Sequence, residues 1–355
     1  MKMIGMKMIG MMKNRRMPIL LRKEKLMDLY NIPNDPGGDW RLNKFVEYQH
    51  EVPSIHYRVL GEYIKRYIHD KDVAVMMCWY MSATYNEVTC ILLQKIFDWE
   101  SQTPKTISKF CKKFWKDNKE NLDFGSSRKY AKNMDWFPTL MDEFIRLTKK
   151  KPYKWLKHFK NSYSDMYKTV SSISFTGRFS CDLFMESILY LNDYFDTSFI
   201  APSKLDWKKC SNLTSGLCNI FYMDEEANEF DKTGKLTVSE EVLNKNLLYV
   251  QDYVKKVYPE QDNDINLFIG KICSFRNLFK SSRYGGFHHD RELGVLKEYE
   301  KSLPDYQELW ERVYKLRRDM FEPRFLGEIG GWDGIRKERK KLFLTKGLTG
   351  VEDCE

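Results

Sequence analysis

The sequence contains no Cys-x-x-Cys pair; its eight cysteines (78, 90, 111, 181, 210, 218, 273 and 354) are scattered along 355 residues. That spacing argues against a zinc ribbon or a dithiol redox site, and no disulfide framework suits so long a chain, so reduced thiols in an intracellular protein are expected. No apolar run approaches the roughly 18 residues that span a bilayer, so no membrane partner is expected. The opening MKMIGMKMIGMMKNRRMPILL has charges but neither a long apolar core nor a clean cleavage site, and it is not read as a signal peptide. Its repeated MKMIG reads as an extended or ambiguous translation start, with folding beginning near Met17 or later. There is no GxxxxGK[ST] phosphate loop, GxGxxG fingerprint, HExxH or PCxxC signature, which disfavours P-loop enzymes, dinucleotide enzymes, zincins and zinc deaminases. Strand-like alternation is scarce, so a large sheet is not expected.

What the chain does have is the hydrophobic content of a globular protein, 42%, a high aromatic share of 15%, and a net charge of +9. The charge is local. Residues 101–160 hold 16 Lys and Arg against 6 Asp and Glu, so the remainder of the chain is close to neutral. A surplus confined to one segment resembles a footprint for a polyanion.

Apolar spacing predicts a mainly α, multi-helix globular fold. Residues 1–50 read as an N-terminal extension and loop, with the turn-rich NIPNDPGGDWRL at 31–42. Residues 51–322 read as a helical catalytic and DNA-binding domain, with 200–246 as a surface insertion, and 323–355 as a basic irregular tail. Tyr57 to Ile68 suits one amphipathic helix, and Val73–Trp99, apolar nearly all round, suits a buried helix or two in succession. Further helices are expected at 176–194, 245–258, 262–280 and 291–320, and between breaks at 123–130, Pro138 and Pro152.

Four constellations carry chemistry. In 101–160, eleven aromatics interleave with the basic residues, most densely in KKFWKDNK (112–119) and KKKPYKWLKHFK (149–160). Lysines neutralise phosphates and aromatic faces stack on bases, so Lys112, Lys113, Lys116, Lys149, Lys150, Lys151, Lys154 and Lys157 are expected to grip nucleic acid. The competing reading is a solvated helix face whose aromatics point inward. In FTGRFS (175–180), Thr176 or Ser174 is placed to cap a helix whose free N–H groups, with Arg178, would bind an anion; the plainer reading is an ordinary cap. In residues 271–292, Lys271, Arg276, Lys280 and Arg283 precede a Tyr284-Gly-Gly turn and His288, His289, Asp290 and Arg291. Converging guanidiniums suit pyrophosphate or a DNA backbone, and His289 and Asp290 offer proton transfer, while adjacent histidines diverge too much for a metal. A charged loop between helices is the alternative. Finally, Glu87 lies inside the apolar WYMSATYNEVTCILL (79–93), where a carboxylate must be paired, hydrogen-bonded or raised in pKa. With Trp79, Tyr80, Tyr85 and Asn86 it lines a pocket, unless the polar residues only mark a helix end.

WYMSATYNE (79–87), LDFGSSRKY (122–130), FTGRFS (175–180) and SFRNLFKSSRYGGFHHDR (274–291) together resemble the phage amino-acid:DNA transferases, or α-glutamyl/putrescinyl thymine pyrophosphorylases. The likeness runs as ordered short motifs from about residue 50 to 295. It implies a helical protein distantly like DNA glycosylases, working in the cytoplasm of an infected bacterial host. It also implies a reaction: 5-hydroxymethyluracil in double-stranded DNA is phosphorylated by a separate kinase, and the transferase installs a free amino acid or polyamine at the 5-methylene carbon, displacing pyrophosphate. By place in the motifs, Arg128, Arg178, Arg276 and Arg283 would stabilise the leaving group, with Lys129, Lys280 and Tyr284 as further substrate contacts. Glu87, Asp290 or His289 would serve as the base, and Trp79, Tyr80 and Tyr85 would stack on a flipped base. No cofactor is called for, although Mg²⁺ often accompanies pyrophosphate and needs only one or two carboxylates. The alternatives are a glycosylase-like enzyme that removes bases and a non-catalytic phage DNA-binding accessory protein.

Overall fold

Residues 58–67 keep their apolar side chains on one face, and they form the first helix, α1 (Arg58–Tyr67), with Val59, Leu60, Tyr63 and Ile64 turned inward. The computed structural model describes residues 41–43, 45–46, 58–125, 134–201, 205, 207–208, 211–221, 223–259, 271–273, 275–276 and 287–321. Next come α2 (Lys71–Thr84) and α3 (Glu87–Ile96). The Asp70 carboxylate starts α2 by accepting from the amides of Asp72 and Val73 at 2.7 and 3.3 Å. Every residue of α2 from Ala74 to Thr84 is buried, so the helix runs through the core. It stops because Tyr85 turns into the left-handed region (φ 54°), and Asn86 then caps α3 by accepting from the Thr89 amide at 3.0 Å. The apolar run 73–99 is therefore two helices joined by a two-residue corner.

The basic segment contributes α4 (Ile107–Asn118), α5 (Phe137–Leu147) and α6 (Pro152–His158), followed by α7 (Tyr163–Ser171), α8 (Arg178–Tyr190) and the short α9 (Asn192–Phe195). Pro138 and Pro152 sit in the first turns of their helices, where a missing N–H costs nothing. Around α2 the aromatics form one nucleus. Trp79 stacks on Phe144 at 4.1 Å between centroids, Phe184 meets Trp79 edge-on, and Trp155 meets Phe144 edge-on.

This nucleus corrects the stacking role expected of residues 101–160. Phe114, Trp115, Phe124, Phe137 and Phe144 are buried, and Phe110, Trp136, Tyr153, Trp155 and Phe159 are half-buried and packed on the same core. The described aromatics of the segment face inward and leave the lysines outside.

The segment expected as a surface insertion is also corrected. Helices α10 (Ser211–Ile220), α11 (Asp224–Thr233) and α12 (Glu240–Val257) build a second core around Trp207, Leu217, Phe230, Leu247 and Val254. Helical residues at 41–43, 45–46, 271–273 and 275–276 supply Phe45, Ile272 and Phe275 to it, so the end of the expected N-terminal extension belongs to the fold. The polar look of 225–233 comes from acids that mostly face out from α11, while Ala227 and Phe230 lie on its inner face and Asp231 reaches Ser215 and Arg276. The last described helices are α13 (Phe287–Ser302) and α14 (Gln307–Met320), separated at Pro304 within the stretch 291–320 expected to be helical. No strand occurs among the described residues, and no helix of theirs is long and apolar enough to cross a membrane.

Candidate active site

The corner between α2 and α3 is where distant parts of the chain meet. Gly125 donates its amide to the Thr84 carbonyl at 2.7 Å. A Cβ at Gly125 would overlap the Tyr85 carbonyl oxygen and ring, so only glycine permits this approach. The 122–125 loop is held from α13. Arg291 donates to the Asp123 carboxylate at 2.7 Å and to the Phe124 carbonyl, and the Tyr299 hydroxyl accepts the Asp123 amide at 2.6 Å. Thr89 of α3 donates to the Asp123 carbonyl at 2.6 Å and lies 2.9 Å from the Tyr299 hydroxyl.

Two carboxyl groups meet beside this corner. Glu87, the first residue of α3, is 1% exposed and faces the amides of Val59 and Leu60 at the start of α1. Glu292 of α13, half-buried as a residue, turns its carboxyl onto the start of α3, accepting from the Val88 amide at 3.3 Å and facing that of Glu87. Each acid thus lies at the positive end of a helix, which favours its charged form. Burial opposes this more strongly. It raises Glu87 well above the usual carboxylate range, and the charge of Glu292 adds to the effect. Glu292 is pushed up to about 7 by burial, against the pull of the Val88 amide, Arg317 and Arg291. Arg317 of α14 is the cation between them; it is 1% exposed, donates to the His289 carbonyl at 3.1 Å, and is lowered by burial despite Glu87, Glu292 and Asp290 around it. The pair consequently holds a proton near neutrality, which is the state of a group able to accept or give one. Lys271, buried in the helical residues that join the second core, is pushed down to about 7 by burial and by Arg58.

The expected residues sort as follows. Glu87 and Asp290 lie together in this cluster, and His289 beside them packs its ring on Phe321 at 4.8 Å. The His-His-Asp triplet belongs to the first turn of α13 and not to a loop. Tyr85 sits at the corner, its ring edge-on to Phe179 at 4.8 Å. Trp79 and Tyr80 are corrected: both are enclosed by core residues and present no face to a base. Arg276 is corrected too, since it is buried against the second core and paired with Asp231. Arg178 is half-exposed and pairs with Asp182 at 3.3 Å. The cap of its helix α8 is Gly177, without a side-chain bond, where Thr176 or Ser174 was expected; the Ser174 amide instead donates to Glu143 at 2.8 Å. Arg128, Lys129, Lys280, Arg283 and Tyr284 lie outside the described residues.

Among the lysines, 112, 113, 116, 149, 151, 154 and 157 are exposed. Lys113 pairs with Asp117, Lys157 donates to the Asp196 carbonyl, and Lys150 donates to the carbonyls of Glu100 and Gln102. No group of three or more His, Cys, Asp or Glu among the described residues could hold a metal ion.

Sequence reasoning passed over Glu292, Arg317, Tyr299 and Asp123. Glu292 lies inside the very segment singled out, but one more acid in a charged run reads as solvated. Comparison with family models, with curated proteins and with solved structures finds no match to this chain.

Proposed function

We propose that this chain is a DNA-modifying transferase that attaches an amino acid or polyamine to the 5-methylene carbon of pyrophosphorylated 5-hydroxymethyluracil in phage DNA. The observation that supports it is convergence. Thr84 to Thr89, Asp123 to Gly125, Phe179 and His289 to Glu292, spread over two hundred residues, meet at the α2–α3 corner beside one buried carboxyl pair. Each belongs to, or directly borders, one of the motifs that carry the resemblance. A base that works near pH 7 is what an amine nucleophile needs, because only its neutral form attacks. The amine nitrogen forms a bond to the methylene carbon, the carbon–oxygen bond to pyrophosphate breaks, and its electron pair leaves with pyrophosphate. Lysines along α4 and α6 would hold the phosphodiester backbone, and the host cytoplasm is where such a reaction would run.

The test is to incubate the protein with duplex DNA carrying pyrophosphorylated 5-hydroxymethyluracil and glycine, glutamate or putrescine, then digest and weigh the nucleosides. A mass gain matching one amine is the expected result. Tight DNA binding with no gain from any amine would overturn the enzyme reading in favour of an accessory DNA-binding protein, and abasic sites would favour a glycosylase.

A further inference from the structure

We infer that the exposed rings of Phe175 and Phe179 are the surface on which DNA bases stack, Phe175 entering the duplex and Phe179 meeting the base drawn towards the α2–α3 corner. This rests on the transferase reading and names the residues that bring its substrate out of the double helix.

The chain hides its aromatic residues with two exceptions. Among the Phe, Tyr and Trp side chains whose burial is described, Phe175 is 59% exposed and Phe179 46%, and every other one is buried or half-buried. The two stand on either side of Gly177 in FTGRFS, where an added Cβ would meet nothing within 4 Å. Phe175 lies ahead of α8 with φ 64°, in the left-handed region that a bulky side chain rarely occupies. Residues held in such conformations cluster at active sites and ligand clamps. The other described aromatic residue in that region is Tyr85 at the corner, and Phe179 rests edge-on against it at 4.8 Å. Phe179 therefore links the exposed surface to the corner.

What surrounds the rings selects the occupant. A protein partner needs a contiguous apolar patch, but the exposed neighbours in the chain are Ser171, Ser172, Ser174 and Gly177, with the half-exposed Arg178 between the two rings in sequence. Separate ring faces on polar, cationic ground suit nucleic-acid bases, which stack while their phosphates take the charges. Lysines are near. The Ser174 amide donates to Glu143 of α5, and Ser108 of α4 donates to Asp142 of α5 and accepts from Arg146. Helix α4, with exposed Lys109, Lys112, Lys113 and Lys116, is thus the next helix beyond α5, roughly 20 Å from Ser174 at ordinary helix spacing. Chemistry on a base in duplex DNA needs that base out of the stack, and an inserted apolar side chain fills the gap it leaves.

Wild type, Phe175→Ala, Phe175→Leu and Phe179→Ala are mixed with a duplex carrying 2-aminopurine next to pyrophosphorylated 5-hydroxymethyluracil. Brightening of the unstacked purine is followed alongside duplex binding. Transfer of glycine and of putrescine is measured on the duplex and on its modified strand alone. The wild type is expected to brighten the purine. Phe175→Ala is expected to lose that signal, to keep the salt dependence of binding, and to lose about 5- to 100-fold in kcat/KM on the duplex. On the single strand, where nothing has to be unstacked, its deficit is expected to vanish, which a folding defect would not allow. Phe175→Leu, still an apolar wedge, is expected to recover most of the signal. Phe179→Ala is expected to lose rate on both substrates, because its ring meets the extruded base itself. Wild-type brightening and transfer in both alanine variants would overturn the stacking surface and leave the transferase reading intact, as would a purine that the wild type leaves dark. An altered oligomeric state in these variants with unstacking unchanged would make the rings a contact between copies and overturn it too. No transfer by the wild type with any amine would overturn the transferase reading, while the purine signal still decides the stacking surface.

Discussion

The Tyr299 hydroxyl accepts the Asp123 amide, and it has one proton to give. Thr89 donates its own proton to the Asp123 carbonyl, so the Tyr299 proton goes to Thr89 Oγ1, 2.9 Å away. Three elements are closed into one ring by a single phenol. Removing that oxygen in Tyr299→Phe leaves a buried amide without an acceptor and a threonine without a donor, and about 1–3 kcal/mol of stability should be lost in chemical denaturation. The nearby Gly125 is constrained differently. In Gly125→Ala the new methyl meets backbone, not the flexible end of a side chain, so the 122–125 loop must move away from Tyr85. The expected result is a folded protein with lowered melting temperature and impaired transfer. Wild-type transfer and stability in this variant would show that the close approach is dispensable.

At the scale of helices, the positions of two ionisable groups shape stability against pH. Glu292 is pushed up to about 7 in the folded chain, whereas an unfolded glutamate titrates near about 4.3. Between those values the folded state binds more protons, so stability falls as pH rises from about 4.3 to 7. Lys271 is pushed down to about 7 from an unfolded value near about 10.4, so the folded state binds fewer protons and stability rises with pH above 7. Taken alone, these two groups place a minimum near neutrality, and Glu87, raised well above its usual range, extends the loss of stability to higher pH. Urea melts across pH should show Glu292→Gln flattening the acid arm and Lys271→Met the alkaline arm; unchanged arms would contradict the buried placements. Helix periodicity made most elements readable beforehand, α1 and the α2–α3 run among them, because burial on one face or all round leaves a 3.6-residue record. The second core was not readable, since α11 hides two inward residues among acids. Glu292 escaped notice for a related reason: sequence places it among charges, and only tertiary packing lays it across the start of α3.

For the whole molecule the charge surplus of 101–160 remains, and its function divides. Lys112 and Lys116 stand on the outer face of α4, whereas Lys150 and Lys157 are anchored to carbonyls of neighbouring segments. If the segment grips DNA, Lys112→Ala and Lys116→Ala should each lower the slope of log affinity against log salt by about one, uniformly across sequences. Lys150→Ala should leave that slope nearly unchanged and lower thermal stability instead. A flat salt response of the wild type would remove the grip altogether.

The left-handed Tyr85 has a consequence for how this chain tolerates change in length. A helix advances about 100° per residue, so adding or deleting one residue at the corner between Thr84 and Glu87 would swing the first side chain of α3 a quarter-turn or more around its axis. Glu87 would then point away from α1, and Glu292 would lie on a helix end presenting a different side chain. Substitutions at the corner can be absorbed locally, but its residue count cannot: the chemistry of this site depends on phase.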